Sequence, residues 1–350
     1  MKIPVTILGA TGTVGQRLIQ LLHNHPFFKI ESVAASEKSA GKRYGDAVQW
    51  KLDTSLPDDI ASMTVRPCIP DDEARVAFSG LDSSVAGEIE LAYARAGYAV
   101  LSNAKNHRMI DDVPLIYPEI NADHLRLLAV QKKRREWTDG CIVTNSNCSI
   151  MSFLPVLHVL DRHYGVIQAS VVTMQAISGA GYPGVPALDI LGNIVPFIKD
   201  EEEKIQTEPL KILGRFENDR IIHSSIRISA SVNRVPVLDG HLASLSITLR
   251  DRPPIEDVLR EFENFRGVPQ ELDLPLAPQR PIIVHRDPAR PQPRLDANAD
   301  KGMAVSVGRV RPCDVFDYKM TCLVHNTLRG ASGAAVLNAE LLYAQSYLKP

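Results

Sequence analysis

The 350-residue chain has almost no net charge: 39 Lys and Arg stand against 41 Asp and Glu, for a formal −2 at pH 7. That balance argues against a nucleic-acid or anionic-membrane partner, since both need a net basic surface. Cysteine is scarce and unpatterned. Cys68, Cys141, Cys148, Cys313 and Cys322 are scattered, odd in number and contain no Cys-x-x-Cys. A disulfide framework and a zinc knuckle are excluded, and a reduced, cytoplasmic setting is expected. Long apolar runs are also missing. The uncharged stretches 141–160 and 164–188 both contain Asn, Ser, Gln, Gly or Pro, so neither reads as a membrane span. No export signal is visible, because the first apolar run stops at Gly9-Ala10-Thr11-Gly12, which is turn chemistry. There is no internal repeat and no low-complexity tract. With 45% hydrophobic and 23% charged residues, disorder is excluded, and the length exceeds one ordinary core. Two domains are expected.

What is present falls into two patterns. Over residues 5–144 short apolar runs alternate with helical spacing. Strands are expected at 5–8, 30–35, 75–78, 98–101 and 141–144, with helices at 14–22 and 85–96. That alternation predicts an α/β, doubly wound, Rossmann-like parallel sheet. Beyond about residue 165 the pattern changes to longer strands with few helices, at 166–173, 222–231, 242–249, 304–310 and 318–324. Ala243, Leu245, Ile247 and Leu249 alternate with Ser244, Ser246 and Thr248, which predicts a mainly antiparallel sheet with one polar face in an α+β domain. The proline-rich 269–293 segment is expected to be an extended connection, and 333–348 to be helical.

Two short segments carry chemistry. Gly9-Ala10-Thr11-Gly12-Thr13-Val14-Gly15 joins the first strand to the first helix. Bare glycine backbone and a helix N-terminus together suit a dinucleotide pyrophosphate better than a plain tight turn. At the end of the second strand, Ser36, Lys38 and Ser39 offer hydroxyls and a cation for a 2′-phosphate, hence NADP. Glu37 leaves a ribose hydroxyl, and so NAD, open. Cys148 follows Asn145-Ser146-Asn147 at the end of the fifth strand, where a new helix is expected to begin. A helix dipole there would stabilise a thiolate, against the usual reading of a free cysteine as a small core residue.

The runs 144–149 and 9–15, with Gln175-Ala176-Ile177-Ser178-Gly179-Ala180-Gly181, Arg234–His241 and His325–Gly330, together resemble the aspartate-β-semialdehyde dehydrogenase family over essentially the whole chain. Lys132–Trp137 and 178–184 resemble its archaeal and fungal branch. The resemblance implies NADPH-dependent reduction of aspartyl-β-phosphate to the semialdehyde, with release of phosphate, in lysine, threonine, methionine and isoleucine biosynthesis. It implies Cys148 as nucleophile, His241 as general acid/base and Gln175 as the orienter of the acyl intermediate. For the substrate it implies Arg234 on the α-carboxylate, Glu201 (with Glu202 in reserve) on the amine, Lys204 and Arg108 at the phosphate, and Asn147 at the phosphate or the cofactor. For the cofactor it adds Ser79, Gly80, Ser178, Gly179 and Asn326 to Gly9, Thr11, Gly12, Thr13, Val14 and Gly15. His107 and His325 lie within family motifs and are expected to line the site. No metal is implied.

The implied domains are 1–147, completed by 326–350, for NADP, and 148–325 for catalysis and dimerisation, in a homodimer or homotetramer. A malonyl-CoA reductase of the same family is the nearest rival. The acidic run 200–203 favours an amine-bearing substrate over it. A non-catalytic nucleotide-binding regulator is the rival of another class; Cys148 and His241, both present, argue against it.

Overall fold

A computed structural model describes residues 2–71 and 73–349. The first sheet holds β1 (Ile3–Leu8), β2 (Phe28–Ala35), β3 (Arg66–Pro67), β4 (Val76–Ser79), β5 (Ala99–Ser102), β6 (Leu115–Ile116) and β7 (Cys141–Asn145). All its pairings are parallel, in the order β3-β2-β1-β4-β5-β7-β6. Its central strands are buried on both faces, as continuous runs such as Val-Ala-Phe-Ser in β4 require. The helices Thr13–Leu22 and Ser83–Arg95 lie where the apolar spacing puts them. The last helix, Gly333–Ala344, is buried almost all round and packs into the same core as β1 and β2.

The second sheet is built from β8 (Val166–Gln175), β11 (Arg227–Arg234), β12 (His241–Leu249), β13 (Ile282–His285), β14 (Val305–Pro312) and β15 (Tyr318–Val324), in the order β11-β8-β12-β15-β14-β13. Its four central strands are antiparallel and both edge pairings are parallel. The alternation in β12 is borne out: Ala243, Leu245, Ile247 and Leu249 are buried and Ser244 is exposed.

Several expectations need correction. The strand expected at 222–231 begins later, as β11 from Arg227, and Ile222 instead closes a separate hairpin of β9 (Arg215–Glu217) with β10 (Arg220–Ile222). The 269–293 segment is not merely extended. It contains the edge strand β13, whose flanking prolines are tolerated because an edge strand leaves one row of its donors unpaired. Helices at Leu154–Tyr164, Glu201–Ile212 and Ile255–Asn264 make the second half richer in helix than expected.

A fully buried ion pair joins the C-terminal segment to the first half of the chain. Arg329, on the helical turn Leu328–Ser332, forks onto Glu119, with one Nη1–Oε1 contact of 3.0 Å, and its guanidinium lies 4.2 Å from the centre of the Tyr117 ring. Removing one partner strands the other charge in a low dielectric. Glu119→Ala is therefore expected to cost about 3–5 kcal/mol, read as a lower urea midpoint. Glu119→Leu combined with Arg329→Met should recover most of that loss. Equal midpoints for the single and double variants would show that the pair is not what holds this junction.

Candidate active site

The strand order of the first sheet reverses between β1 and β4, so a crevice opens at their carboxyl ends. Two loops meet there at backbone distance. Gly9 has φ +74°, and a Cβ on it would stand 2.9 Å from the Gly80 carbonyl oxygen. A Cβ on Gly15 would fall 2.3 Å from the Gly9 oxygen, so Gly15 lets the helix seat on the loop. Gln16, buried behind the loop, donates from Nε2 to the Thr11 and Gln49 carbonyls at 3.0 Å and accepts the Lys51 N–H at 2.7 Å. One amide thus ties the glycine loop to the 49–51 segment.

The resulting cleft measures about 780 Å³ and is lined by Gly9, Thr11, Gly12, Thr13, Val14, Ser36, Gly80 and Gly179, together with Lys51 and Tyr182. Lys38 and Ser39 are not among its lining residues. The lysine that lines it is Lys51, whose Nζ sits 4.3 Å from the centre of the Tyr182 ring. Ser79 is wholly buried in β4. Ser178 and Asn326 are engaged with each other: Asn326 Nδ2 donates to Ser178 Oγ, Ser178 donates to Asp239, and the Gly240 N–H donates to Asn326 Oδ1, each at 2.8 Å. That network fixes the turn leading into His241.

Strand register assembles the reactive centre. Arg234 pairs with Gln175 across β11 and β8, and His241 pairs with Val324 across β12 and β15. Gln175, Arg234, His241 and His325 therefore stand at one end of four adjacent strands. Cys148 reaches the same point from the carboxyl end of β7, and its Sγ lies 3.3 Å from His241 Nε2. Gly330 backs the cysteine so closely that a Cβ there would stand 2.8 Å from Cys148 Cβ.

The environment of Cys148 corrects an expectation. It does not open an α-helix. A 3₁₀ turn, Ile150–Ser152, intervenes, and the helix begins at Leu154. No helix N-terminus lowers the thiol. Burial, and then Glu201, push it up to about 11, while Arg108, Arg234 and Lys204 pull the other way. His241 is pushed down to about 3 by burial, then by Arg234 and His325.

Glu201, on the Glu201–Ile212 helix, faces this centre; Glu202 and Glu203 are exposed. The Glu201 carboxylate accepts from Asn147 Nδ2 (2.8 Å), Ser149 Oγ (3.2 Å), Gln175 Nε2 (3.3 Å) and Lys204 Nζ (2.8 Å). Its pKa is lowered although burial alone would raise it; Lys204, Gln175 and Asn147 outweigh that penalty. Two turns on, Glu208 accepts the Asn147 N–H at 2.7 Å and Arg108 Nη1 at 2.9 Å. Lys211 then donates to the carbonyls of Arg108, Ile110 and Val113 at 2.7–2.8 Å. Arg108 also donates to the Asn103 carbonyl, while its buried Nε–H has no partner among the described residues. Sequence reasoning missed Glu208 and Lys211, yet Glu201, Lys204, Glu208 and Lys211 follow helical spacing and share one face. His107 does not line the centre. It is buried 3.4 Å from Glu90. His325 accepts the Thr327 and Leu328 N–H groups at 3.3 Å and backs the site.

Comparison with known proteins agrees with this geometry. Residues 4–128 match the family described as semialdehyde dehydrogenase, NAD binding domain, and residues 157–329 match semialdehyde dehydrogenase, dimerisation domain. The aspartate-semialdehyde dehydrogenase of Archaeoglobus fulgidus is 46% identical over 99% of this chain and 100% of that protein. The Schizosaccharomyces pombe enzyme is 49% identical over 96% and 97%. The crystal structure of the Candida albicans enzyme with NADP superposes with a TM-score of 0.92 at 41% identity, covering 99% of this chain and 100% of that one. Identity at this level, spread over nearly the full length of each relative, leaves neither half of the molecule outside the match, and the chain belongs to the aspartate-semialdehyde dehydrogenase family.

Proposed function

We propose that the chain reduces L-aspartyl-β-phosphate to L-aspartate-β-semialdehyde and phosphate, reversibly, with NADPH as reductant and a thioester on Cys148. The observation that carries this reading is the 3.3 Å contact of Cys148 with His241 at the edge of the dinucleotide cleft. The cleft fits a dinucleotide: it is within the ~300–1,000 Å³ range of ligand sites, and glycine backbone faces it at Gly9, Gly12 and Gly80. When bound, the reduced dinucleotide supplies a hydride.

The remaining roles belong to side chains. Cys148 Sγ attacks the acyl carbon and phosphate leaves. Arg234, anchored by Nη1 on the Ala176 carbonyl at 2.8 Å, turns its fork to the α-carboxylate. Glu201 receives the α-ammonium, which takes the place of Lys204 on its Oε1. Lys204, so released, joins Arg108 and Asn147 at the phosphate. Gln175 orients the thioester carbonyl. A malonyl thioester has no ammonium, and the buried Glu201 carboxylate favours the amine-bearing substrate.

We read residues 1–147 with 326–350 as the cofactor-binding domain and 148–325 as the catalytic and dimerisation domain. A second copy in a homodimer, or a dimer of dimers, covers the apolar run Leu188, Leu191, Ile194 and Phe197, whose exposures of 95, 70, 56 and 68% are unusual for a free surface. Among the described residues no helix is long and apolar enough to cross a membrane. The unpaired cysteines accord with a cytoplasmic enzyme.

Measurements of three kinds test this reading. Aspartate semialdehyde, NADP and phosphate should turn over, and malonyl-CoA with NADPH should not. Glu201→Ala should lower kcat/KM for the semialdehyde roughly ten- to a hundredfold, as expected for one charge-assisted contact. An unchanged value would move the amine site elsewhere.

The second measurement follows the thiol. Burial favours the protonated form, so alkylation of Cys148 by iodoacetamide in the free protein should be slow at pH 7. It should rise about tenfold per pH unit toward 11. A plateau below pH 8 would show a thiolate already formed.

The third concerns the extra phosphate. Lys51→Ala should raise KM for NADPH severalfold, and Lys38→Ala should change it little, because Lys51 lines the cleft and Lys38 does not. The opposite ranking would return the cofactor cation to Lys38.

A further inference from the structure

An arginine on a long side chain serves an anion best when its aim is fixed before the anion arrives. Arg108 is held at three points. Glu208 Oε1 accepts from its Nη1 at 2.9 Å, the Asn103 carbonyl accepts from its Nη2 at 2.7 Å, and its own carbonyl accepts from Lys211 Nζ at 2.7 Å. Asn103 is tied in turn. Its Nδ2 donates to the Ser79 carbonyl at 2.9 Å, and its Oδ1 accepts from Asn145 Nδ2 at 3.1 Å. These bonds leave the guanidinium with donors to spare, the buried Nε–H among them, which has no partner among the described residues.

The other oxygen of Glu208 binds elsewhere. Oε2 accepts the Asn147 N–H at 2.7 Å, and Asn147 is joined directly to Cys148. One buried carboxylate therefore spans the arginine and the peptide that carries the sulfur. Charge balance alone does not demand this. Earlier on the same helix Glu201 pairs with Lys204, three positions on, at 2.8 Å. Glu208 has Lys211 at the same spacing. Yet Lys211 Nζ goes to the carbonyls of Arg108, Ile110 and Val113, and Glu208 goes to Arg108 and Asn147. Arg108 also acts on the sulfur: burial and then Glu201 push the Cys148 thiol up, and Arg108 heads the cations that offset them.

We propose that Glu208 is a positioning residue for the phosphate step: it holds Arg108 and the Asn147–Cys148 peptide in one register, so that a phosphate oxygen and the sulfur meet at the same acyl carbon. The inference rests on the proposed reaction and adds a residue to it. In the phosphorylating direction the C–O bond to phosphate forms as the C–S bond breaks, and the sulfur leaves with the electron pair. The reductive direction runs the same exchange backwards. Both need the phosphate and Cys148 at a fixed separation, and a displacement of about 1 Å can cost on the order of a hundredfold in rate. Glu208 itself has both oxygens occupied and touches neither reacting group.

The test separates aim from fold. Glu208→Gln keeps the shape but has one acceptor oxygen, so it can serve Arg108 or the Asn147 N–H and not both. With aspartate semialdehyde, NADP and phosphate, it should raise KM for phosphate on the order of tenfold and leave KM for NADP within about twofold. Glu208→Asp keeps the charge and two acceptor oxygens, and should fall between the two. Phosphate binding is also read without turnover, as protection of Cys148 from iodoacetamide by inorganic phosphate at about pH 9. Glu208→Gln and Arg108→Ala should each raise the half-protecting concentration. The double variant should be no worse than Arg108→Ala alone, because Glu208 acts through that arginine. Additive losses in the double variant would overturn the inference, as would equal protection of Glu208→Gln and the unaltered protein, or no protection of either. If Glu208→Gln does not fold, Glu208→Asp carries the same comparison. If the unaltered enzyme fails to turn over aspartate semialdehyde, NADP and phosphate, the proposed reaction fails, and phosphate protection still decides whether Glu208 acts through Arg108.

Discussion

The active centre depends on buried charge that must be matched. The inward face of the Glu201–Ile212 helix carries Glu201, Lys204, Glu208 and Lys211, with Lys204 half-buried and the other three buried. An unpaired ion there would cost several kcal/mol, so each must find partners, and few arrangements supply them. The partners are the site itself. Asn147 and Gln175 satisfy Glu201; Arg108 and the N–H of Asn147 satisfy Glu208; three carbonyls of the 108–113 loop satisfy Lys211. A helix from the second half of the chain thereby fixes a loop from the first. The residue preceding Cys148 is held at both its backbone and its side chain.

Two sheets aim their ends at that helix. In the first, loops leave from the carboxyl ends of β1, β4, β5 and β7, so the glycine loop, the Asn103–Arg108 segment and Cys148 share one rim. In the second, β8 and β11 run parallel and β12 runs opposite, which brings the last residues of two strands beside the first residue of a third. Glycine makes the meeting close. Gly179 admits the neighbouring loop against His241, and Gly330 admits the turn against Cys148. A methyl group at either place would have to move a reacting side chain.

Much of this is legible in local pattern, and most of the rest shares one cause. The alternation of Ala243, Leu245, Ile247 and Leu249 declares a half-buried strand because period two is a local property. The glycine loop and the alternation of strands and helices are local too. Ile255, Val258, Leu259 and Phe262 carry a plain helical period, so that helix is legible in the sequence as well. Other features depend on what lies opposite. The acidic run at 200–203 looks like a solvated face, and only the partners supplied by Asn147, Ser149 and Gln175 turn Glu201 inward. Lys38 and Lys51 are equally plausible cations in sequence. Gln16, buried behind the loop, brings the 49–51 segment to the cleft, and a contact between residues 35 apart leaves no periodic signal. Cys148 follows the same rule: a turn of 3₁₀ geometry in place of an α-helix start removes the dipole argument and leaves burial in control of the thiol.

The saturation of Glu201 bears on how the site separates an amino-acid substrate from a plain acid. In the free protein Lys204 occupies Glu201 Oε1 at 2.8 Å, so the carboxylate is not waiting unpaired. On the proposed roles, an incoming ammonium would replace one cation with another, which would conserve the charge balance of a buried site and make the exchange inexpensive. The displaced lysine would then serve the substrate's phosphate, so recognition of the amine would also deliver a counter-ion to the leaving group. A substrate without an ammonium would leave Lys204 paired with Glu201 and its own anionic end short of one cation. Discrimination on this proposal would lie in the coupling of two contacts three residues apart on one helix face, and not in the affinity of either alone.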